Sequence, residues 1–433
     1  MKAIRASLFH CLRHPLKGHG PAFEYIPDAG LILEGGKVKA LGPAESVLKG
    51  LDPQSVESYP TGLIVPGFID AHVHYPQLPM IGAYGEELLS WLERYTFPCE
   101  RRFADPAYAQ RVASLFCDEL LRNGTTTALV FATVHAHSVD ALFEEAQRRR
   151  MRLLTGKVLM DRNVPEDLRD TPTQAYAESR ELIERWHGRD RLLYALTPRF
   201  AASSSPEQLA TVAQLWDEFP DCYLQTHVAE NKAEISWVRE LFADEVPRGS
   251  SYLEVYQHYG LVRERAIFAH GIYLEDQDWG HLQRSGAGLC FCPSSNLFLG
   301  SGLFPYRKAC AHDIHVALGT DVGAGTSFSQ LQTLNEAYKV LKLQGDKLSA
   351  LEAFYLATLG GAEALRLERQ LGNLLPGKEA DFIVLDKAKT PLLERRLEGV
   401  LDIEEQLFVL MTLAGERPIR ATYVDGQKSD VHA

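Results

Sequence analysis

Eight short runs of apolar and β-branched residues alternate with longer, charge-bearing amphipathic stretches, and this alternation constrains the fold more than any other feature of the chain. The runs are Leu63–His74, Thr125–Phe131, Leu153–Met160, Arg191–Thr197, Cys222–His227, Ala266–His270, Ala287–Cys292 and His315–Asp321. Between them lie helical stretches such as Pro106–Asn123, Ser138–Arg150, Pro206–Phe219 and Asn231–Phe242. These are long enough to carry the chain back from one parallel strand to the start of the next. The pattern predicts an α/β fold, a TIM-type (β/α)8 barrel over residues 66–370.

The flanks carry a different signal. Within residues 1–65, Gly30–Leu41 reads as a hairpin turning at Gly35-Gly36; within 371–433, Ala380–Leu385 and Arg420–Val424 read as strands, the second followed by Asp425-Gly426. Together they predict one small β domain assembled from both chain ends, the alternative being two independent edge hairpins.

A chain of 433 residues with 45% hydrophobic content can bury a core of the size a barrel needs. Its net charge of −12 disfavours nucleic acid as a partner, because phosphate-backbone binding requires concentrated Lys and Arg. No stretch approaches about 18 consecutive apolar residues, so no membrane partner is expected. The seven cysteines include no CxxC pair, which suits free thiols in a reducing compartment. With an opening segment, MKAIRASLFHCLRHP, too broken by charge for a signal sequence, the expected location is the cytoplasm.

The first run ends in His72-Val73-His74, and on a strand that spacing places both imidazoles on one face. A bare HxH is more often two surface histidines; its company changes the reading. His227 ends the fifth run, His270 the sixth and Asp321 the eighth. In a barrel all of these strand ends meet at one rim, where barrel enzymes place their sites.

The stretches Pro66–His74 (PGFIDAHVH), His227–Glu230 (HVAE), His270-Gly271 and Gly319–Asp321 (GTD) together resemble the amidohydrolase superfamily over essentially the whole chain. The resemblance implies that His72, His74, His227 and Asp321 bind a metal. It implies that His270 hydrogen-bonds the reacting water rather than the ion. Three imidazoles and a carboxylate suit Zn2+, although Fe2+ accepts the same ligands. Two-metal members bridge their ions through a carboxylated lysine at the end of the fourth strand. Here that strand ends Leu196–Phe200 without a lysine, and Lys157 lies in the third run, so one ion per chain is expected.

A bound dication would bring the pKa of water toward ~7. Asp321 could then take the water's proton, while Glu230, three residues after His227, is implied by the resemblance to be the proton shuttle. The alternative for Glu230 is a solvated acid in a first helical turn. His74–Gln77, Trp91–Pro98 and Pro198–Phe200 are similar to the guanine-deaminating branch of the superfamily. By that likeness Gln77 and Arg199 contact the base, Phe200 lines the pocket, and Trp91 is a further pocket residue. The chemistry agrees, because guanidinium donors satisfy the O6 acceptor of guanine, where adenine presents a donor amine.

Homodimerisation is likewise implied by resemblance alone. Rival readings are another ring hydrolase on the same scaffold, such as a cytosine, 8-oxoguanine or thioadenosine-type deaminase or a triazine chlorohydrolase, and a noncatalytic scaffold that has lost its ligands. Cys290 and Cys292 alternate as packing residues of a strand, and the HxE plus PCxxC signature of the other zinc-deaminase fold does not occur.

Overall fold

The computed structural model describes residues 1–85, 87–413, 415 and 417–432. Eight parallel strands form the barrel wall in chain order: Phe68–His74, Thr125–Phe131, Arg152–Gly156, Leu192–Pro198, Tyr223–Val228, Ala266–His270, Gly288–Phe291 and Val316–Leu318. A two-residue strand, Val158–Leu159, adds to the fourth of these. The ring is closed by backbone bonds past the end of the eighth strand. The Asp321 N–H donates to the His72 carbonyl and the His74 N–H to the Val322 carbonyl, both at 2.8 Å.

Helices fill the crossovers, and their starts are written in the sequence. Asp105, Thr171 and Ser205 each precede a proline, and each side chain accepts a backbone N–H of the first helical turn. Capping satisfies an orphan donor, while proline at the first helical position gives up an N–H that had no partner anyway. The helices Pro106–Arg122, Ala136–Arg148, Pro206–Glu218 and Lys232–Leu241 lie within two residues of the expected ends.

The first apolar run serves two sheets rather than one. Val56–Pro66 belongs to a separate seven-stranded sheet, and Phe68–His74 to the barrel. The exchange occurs at Gly67, whose N–H bonds the Asp381 carbonyl while the next N–H bonds that of Gly124. A Cβ at Gly67 would stand 2.1 Å from Thr126 Oγ1, so no larger residue fits. Continuous hydrophobicity hid the division, because both halves are buried. The third run also divides, at Lys157, and the eighth ends at Leu318 rather than Asp321.

The second sheet is built from both chain ends: Lys2–Cys11, Phe23–Glu34, Lys37–Pro43 and Val56–Pro66 join Phe382–Asp386, Ile419–Val424 and Gln427–Lys428. Gly35 and Gly36 make its hairpin turn with φ of 58° and 77°, a geometry that suits the right-handed twist of the flanking strands. The C-terminal segment is not purely β, however. Helices Pro391–Leu397 and Ile403–Leu413 intervene, and the second packs on barrel helices Gln330–Leu343 and Ala350–Tyr355. Among the described residues no helix is long and apolar enough to cross a membrane.

Barrel and sheet are tied by an ionic cluster in which Arg152 and Asp381 are buried and Arg191 and Glu379 largely so. Arg191 reaches Asp381 and, at 2.7 Å, Glu379, while Arg152 also binds Glu379. Breaking a buried pair from one side strands the other charge. Arg191→Met is therefore expected to lower unfolding free energy by about 3 kcal/mol in urea titrations followed by circular dichroism. A loss below about 1 kcal/mol, the range of an exposed pair, would show that the cluster does not clamp the two parts.

Candidate active site

The barrel mouth gathers the four candidate ligands and His270 from four places in the chain. His72 and His74 come from the first strand, His227 from the fifth, His270 from the last position of the sixth, and Asp321 from the turn beyond the eighth. Asp321 leaves its strand because Thr320 turns to a different partner. The Thr320 N–H and hydroxyl both donate to Asp70, whose Oδ1 also accepts the His72 N–H at 3.3 Å. One buried carboxylate thus fixes both sides of the barrel seam, and burial pushes its pKa up to about 7.

Four donor contacts have nearly the same length. His74 Nε2 stands 3.3 Å from His72 Nε2, from His227 Nε2 and from Asp321 Oδ1, and His72 Nε2 is 3.3 Å from the same Oδ1. Donors placed ~2.0–2.1 Å from a tetrahedral cation lie about 3.3 Å apart, so the set fits a zinc-sized ion. Bare imidazole nitrogens facing one another in a buried site have no other means of satisfaction. The His270 ring nitrogen lies near His72 and His227, and Cys292 Sγ lies near His270 and Asp321, each group of donor atoms falling within 4.8 Å.

Burial disfavours the charged form of three of these imidazoles. Burial lowers His74 to about 4 and His270 to about 3, and drives His227 well below its ordinary value. Burial would raise Asp321, but the adjacent His72 and His74 outweigh it and hold the carboxyl well below the usual range. His227 Nδ1 lies 2.6 Å from the Arg199 carbonyl. A carbonyl only accepts, so Nδ1 carries the hydrogen and Nε2 presents its lone pair to the cluster. The Asn296 amide, 2.9 Å from His270 Nδ1, acts as donor and leaves the hydrogen of that ring on Nε2.

Glu230 is 3% exposed, and the solvated alternative does not describe it. Ala229, at φ 48°, turns the chain back after His227, so that Glu230 Oε2 lies 3.4 Å from His270 Nε2 while Oε1 accepts the Ser301 hydroxyl at 2.9 Å. Left-handed backbone also occurs at His270 (φ 72°) and Asp321 (φ 53°). Such conformations cost energy in non-glycine residues and persist where the surroundings enforce them. Burial, then the charges of Asp321 and Glu234, raises the Glu230 pKa well above the carboxylate range. Glu234 caps the next helix by accepting the backbone N–H groups of Glu230 (3.1 Å) and Asn231 (3.2 Å).

Beside this cluster lies a pocket at the barrel mouth, walled by both apolar and polar side chains. Gln77, Arg199, Phe200 and Trp91 all line it. Gln77 cannot offer both ends of its amide freely, because Oε1 accepts the Gly323 N–H at 3.3 Å and only the NH2 group remains. Arg199 is neither free nor in a surface pair. Its Nη1 lies 2.8 and 3.0 Å from the two oxygens of Glu100, with both side chains buried. Trp91 ends a short helix that continues through a π-helical turn, Leu92–Thr96, into Phe97–Arg101. That irregular segment roofs the pocket, a common place for π-turns.

Sequence reasoning missed Glu100, Asn296 and Ser301, which act through contacts distant in the chain, and Glu234, whose local capping contacts follow Asn231 at the helix start. Cys292 carried a usable signal, since CxC at a strand end obeys the same spacing logic as HxH. Lys157 is buried against Asp170 and lies 3.4 Å from Glu178. All seven cysteines are free.

Comparison with known proteins adds family and likeness. The Amidohydrolase family model matches residues 63–428. The chain is 51% identical over 431 residues to guanine deaminase of Escherichia coli (strain K12), covering 99% of this chain and 97% of that one. It is similar in structure to guanine deaminase from Bradyrhizobium japonicum, with TM-score 0.92 and 36% identity over 99% of this chain and 98% of the other. A guanine deaminase from C. acetobutylicum, solved with guanine in its active site, matches with TM-score 0.89 and 28% identity over 99% of both chains. The matched range takes in every residue of the donor cluster, and the chain belongs to the amidohydrolase family.

Proposed function

We propose that this protein is a one-metal hydrolase that converts guanine and water to xanthine and ammonia. The observation that carries the reading is a single pocket in which Gln77, Arg199 and Phe200 meet Glu230 and the His–Asp cluster. Full-length similarity to proteins named guanine deaminase supports it. His72, His74, His227 and Asp321 would hold the ion, and zinc is the choice their chemistry favours over Fe2+. When bound, the ion supplies acidity to a water molecule, lowering its pKa toward ~7.

The protein groups do the rest. Phe200 packs on the flat ring, Arg199 donates to O6, and the Gln77 NH2 donates to a ring acceptor. Adenine, with an amine where guanine has O6, would leave Arg199 unsatisfied. Asp321 turns Oδ1 to the histidine pair and Oδ2 toward His270, and Oδ2 takes a proton from the attacking water. Water oxygen bonds to C2, the carbon bearing the amine. Glu230, whose pKa burial raises, gives its hydrogen to the adjacent ring nitrogen, takes up the hydrogen still on the attacking oxygen and passes that one to the departing amine, after which the proton held by Asp321 returns to Glu230. His270 donates from Nε2 to the oxygen arriving at C2. The balance closes: water oxygen stays on the ring, one water hydrogen ends on ring nitrogen and the other leaves in ammonia.

The same reading divides the chain at residues 1–65, 66–370 and 371–433 into two halves of a small domain flanking the barrel. It takes the enzyme as a cytoplasmic homodimer.

Ammonia release assayed across guanine, 8-oxoguanine, adenine, cytosine, a thioadenosine and a chlorotriazine is expected to favour guanine, and a chelator should abolish it until Zn2+ is returned. Preference for another ring would overturn the assignment. Glu230→Gln should retain its metal content yet lose about 100- to 10,000-fold in kcat; undiminished turnover would remove it from the mechanism. Arg199→Met should lower kcat/KM for guanine about 100-fold, the scale of a lost charged hydrogen bond, and an unchanged value would end its recognition role.

A further inference from the structure

Glu100 is a fully buried carboxylate that touches no candidate ligand and has no part in the proton transfers above. It sits in helix Phe97–Arg101, the end of the segment that roofs the pocket. Both of its oxygens accept from one nitrogen, Nη1 of Arg199. Guanidinium is a planar fork of five N–H donors, so binding it at Nη1 dictates which edge remains for a ligand. The Phe97 ring, with its centroid 5.8 Å from Arg199 Cζ, flanks the same group.

The pair also settles charge. A lone guanidinium that is 3% exposed would draw anions strongly, whereas a guanidinium bound to a carboxylate presents donors with no net charge. The other charged or titratable groups lining the pocket are Glu230, Glu234, Asp321, His74, His227 and His270. None of them contacts Arg199 Nη1 as Glu100 does. Substrate and product differ in this same property, because xanthine loses a proton far more readily than guanine and becomes an anion close to neutral pH.

Resting on the guanine reading, we propose that Glu100 is a positioning residue that sets selectivity between substrate and product. It aims the free edge of Arg199 at the neutral base and cancels the charge that would otherwise retain the xanthine anion. Loss of the carboxylate then weakens guanine through misorientation and strengthens anionic xanthine through charge. A residue serving packing alone would move both ligands in one direction.

The test uses the metal-loaded enzyme as wild type, Glu100→Gln and Glu100→Asp. KM and kcat for guanine are measured beside the inhibition constant of xanthine at one pH below and one above xanthine ionisation. Glu100→Gln should raise KM for guanine about tenfold with a smaller change in kcat, and should tighten xanthine about tenfold on the alkaline side relative to the acid side. Glu100→Asp keeps the charge at shorter reach, so it should raise KM while preserving the wild-type alkaline-to-acid ratio for xanthine. Parallel weakening of guanine and xanthine at both pH values, or no change in either, overturns the proposal. If the Gln variant does not fold, a shifted xanthine ratio in the Asp variant overturns it equally. A wild type that releases no ammonia from guanine overturns the guanine reading instead, before any variant is compared.

Discussion

Three imidazole nitrogens and a carboxylate oxygen linked by contacts of 3.3 Å at the floor of the pocket form the arrangement on which the rest of this structure depends. Lone pairs do not gather in a buried site unaided, because each is stripped of hydration and repels its neighbours. Their positions must be enforced by the backbone, and closure of a parallel barrel supplies that enforcement. Asp70 is the fastener. It holds the His72 N–H from one side of the seam and Thr320 from the other, bringing Asp321 to the histidine pair.

The groups around the cluster repeatedly serve two ends at once. The Arg199 carbonyl orients His227, while the Arg199 side chain lines the pocket paired with Glu100. Glu234 fixes the backbone of Glu230, and Tyr252, hydrogen-bonded to Glu234, accepts the Ala201 N–H at 3.2 Å, just beyond Phe200. The loop that carries Glu230 and the loop that carries Phe200 are therefore braced against each other. Burial adds the chemistry that these positions need. The same desolvation that lowers the pKa of His74, His227 and His270 raises that of Glu230, so one physical cause disfavours the charged form of all four.

The sheet built from the chain ends stands apart from this chemistry, yet it is continuous with the first barrel strand through Gly67. The strand that delivers His72 and His74 is thus anchored outside the barrel as well as within it. The Arg191 and Arg152 contacts to Glu379 and Asp381 reinforce the same junction.

The sequence alone determined the alternation that makes a barrel, the helix starts at Pro106 and Pro206, the Gly35-Gly36 turn, and the residue types waiting at the strand ends. These are local properties: a period of hydrophobicity, a cap, a φ that only glycine adopts cheaply. Tertiary structure decided the division of Leu63–His74 between two sheets, the helices inserted before the last strands, the burial of Glu230 and the partner of Arg199. Glu100 and Arg199 lie 99 residues apart, and no periodicity links such positions. Contact and desolvation exist only once the chain has closed on itself, and they set whether a carboxylate is solvated or buried and whether an arginine is free or paired.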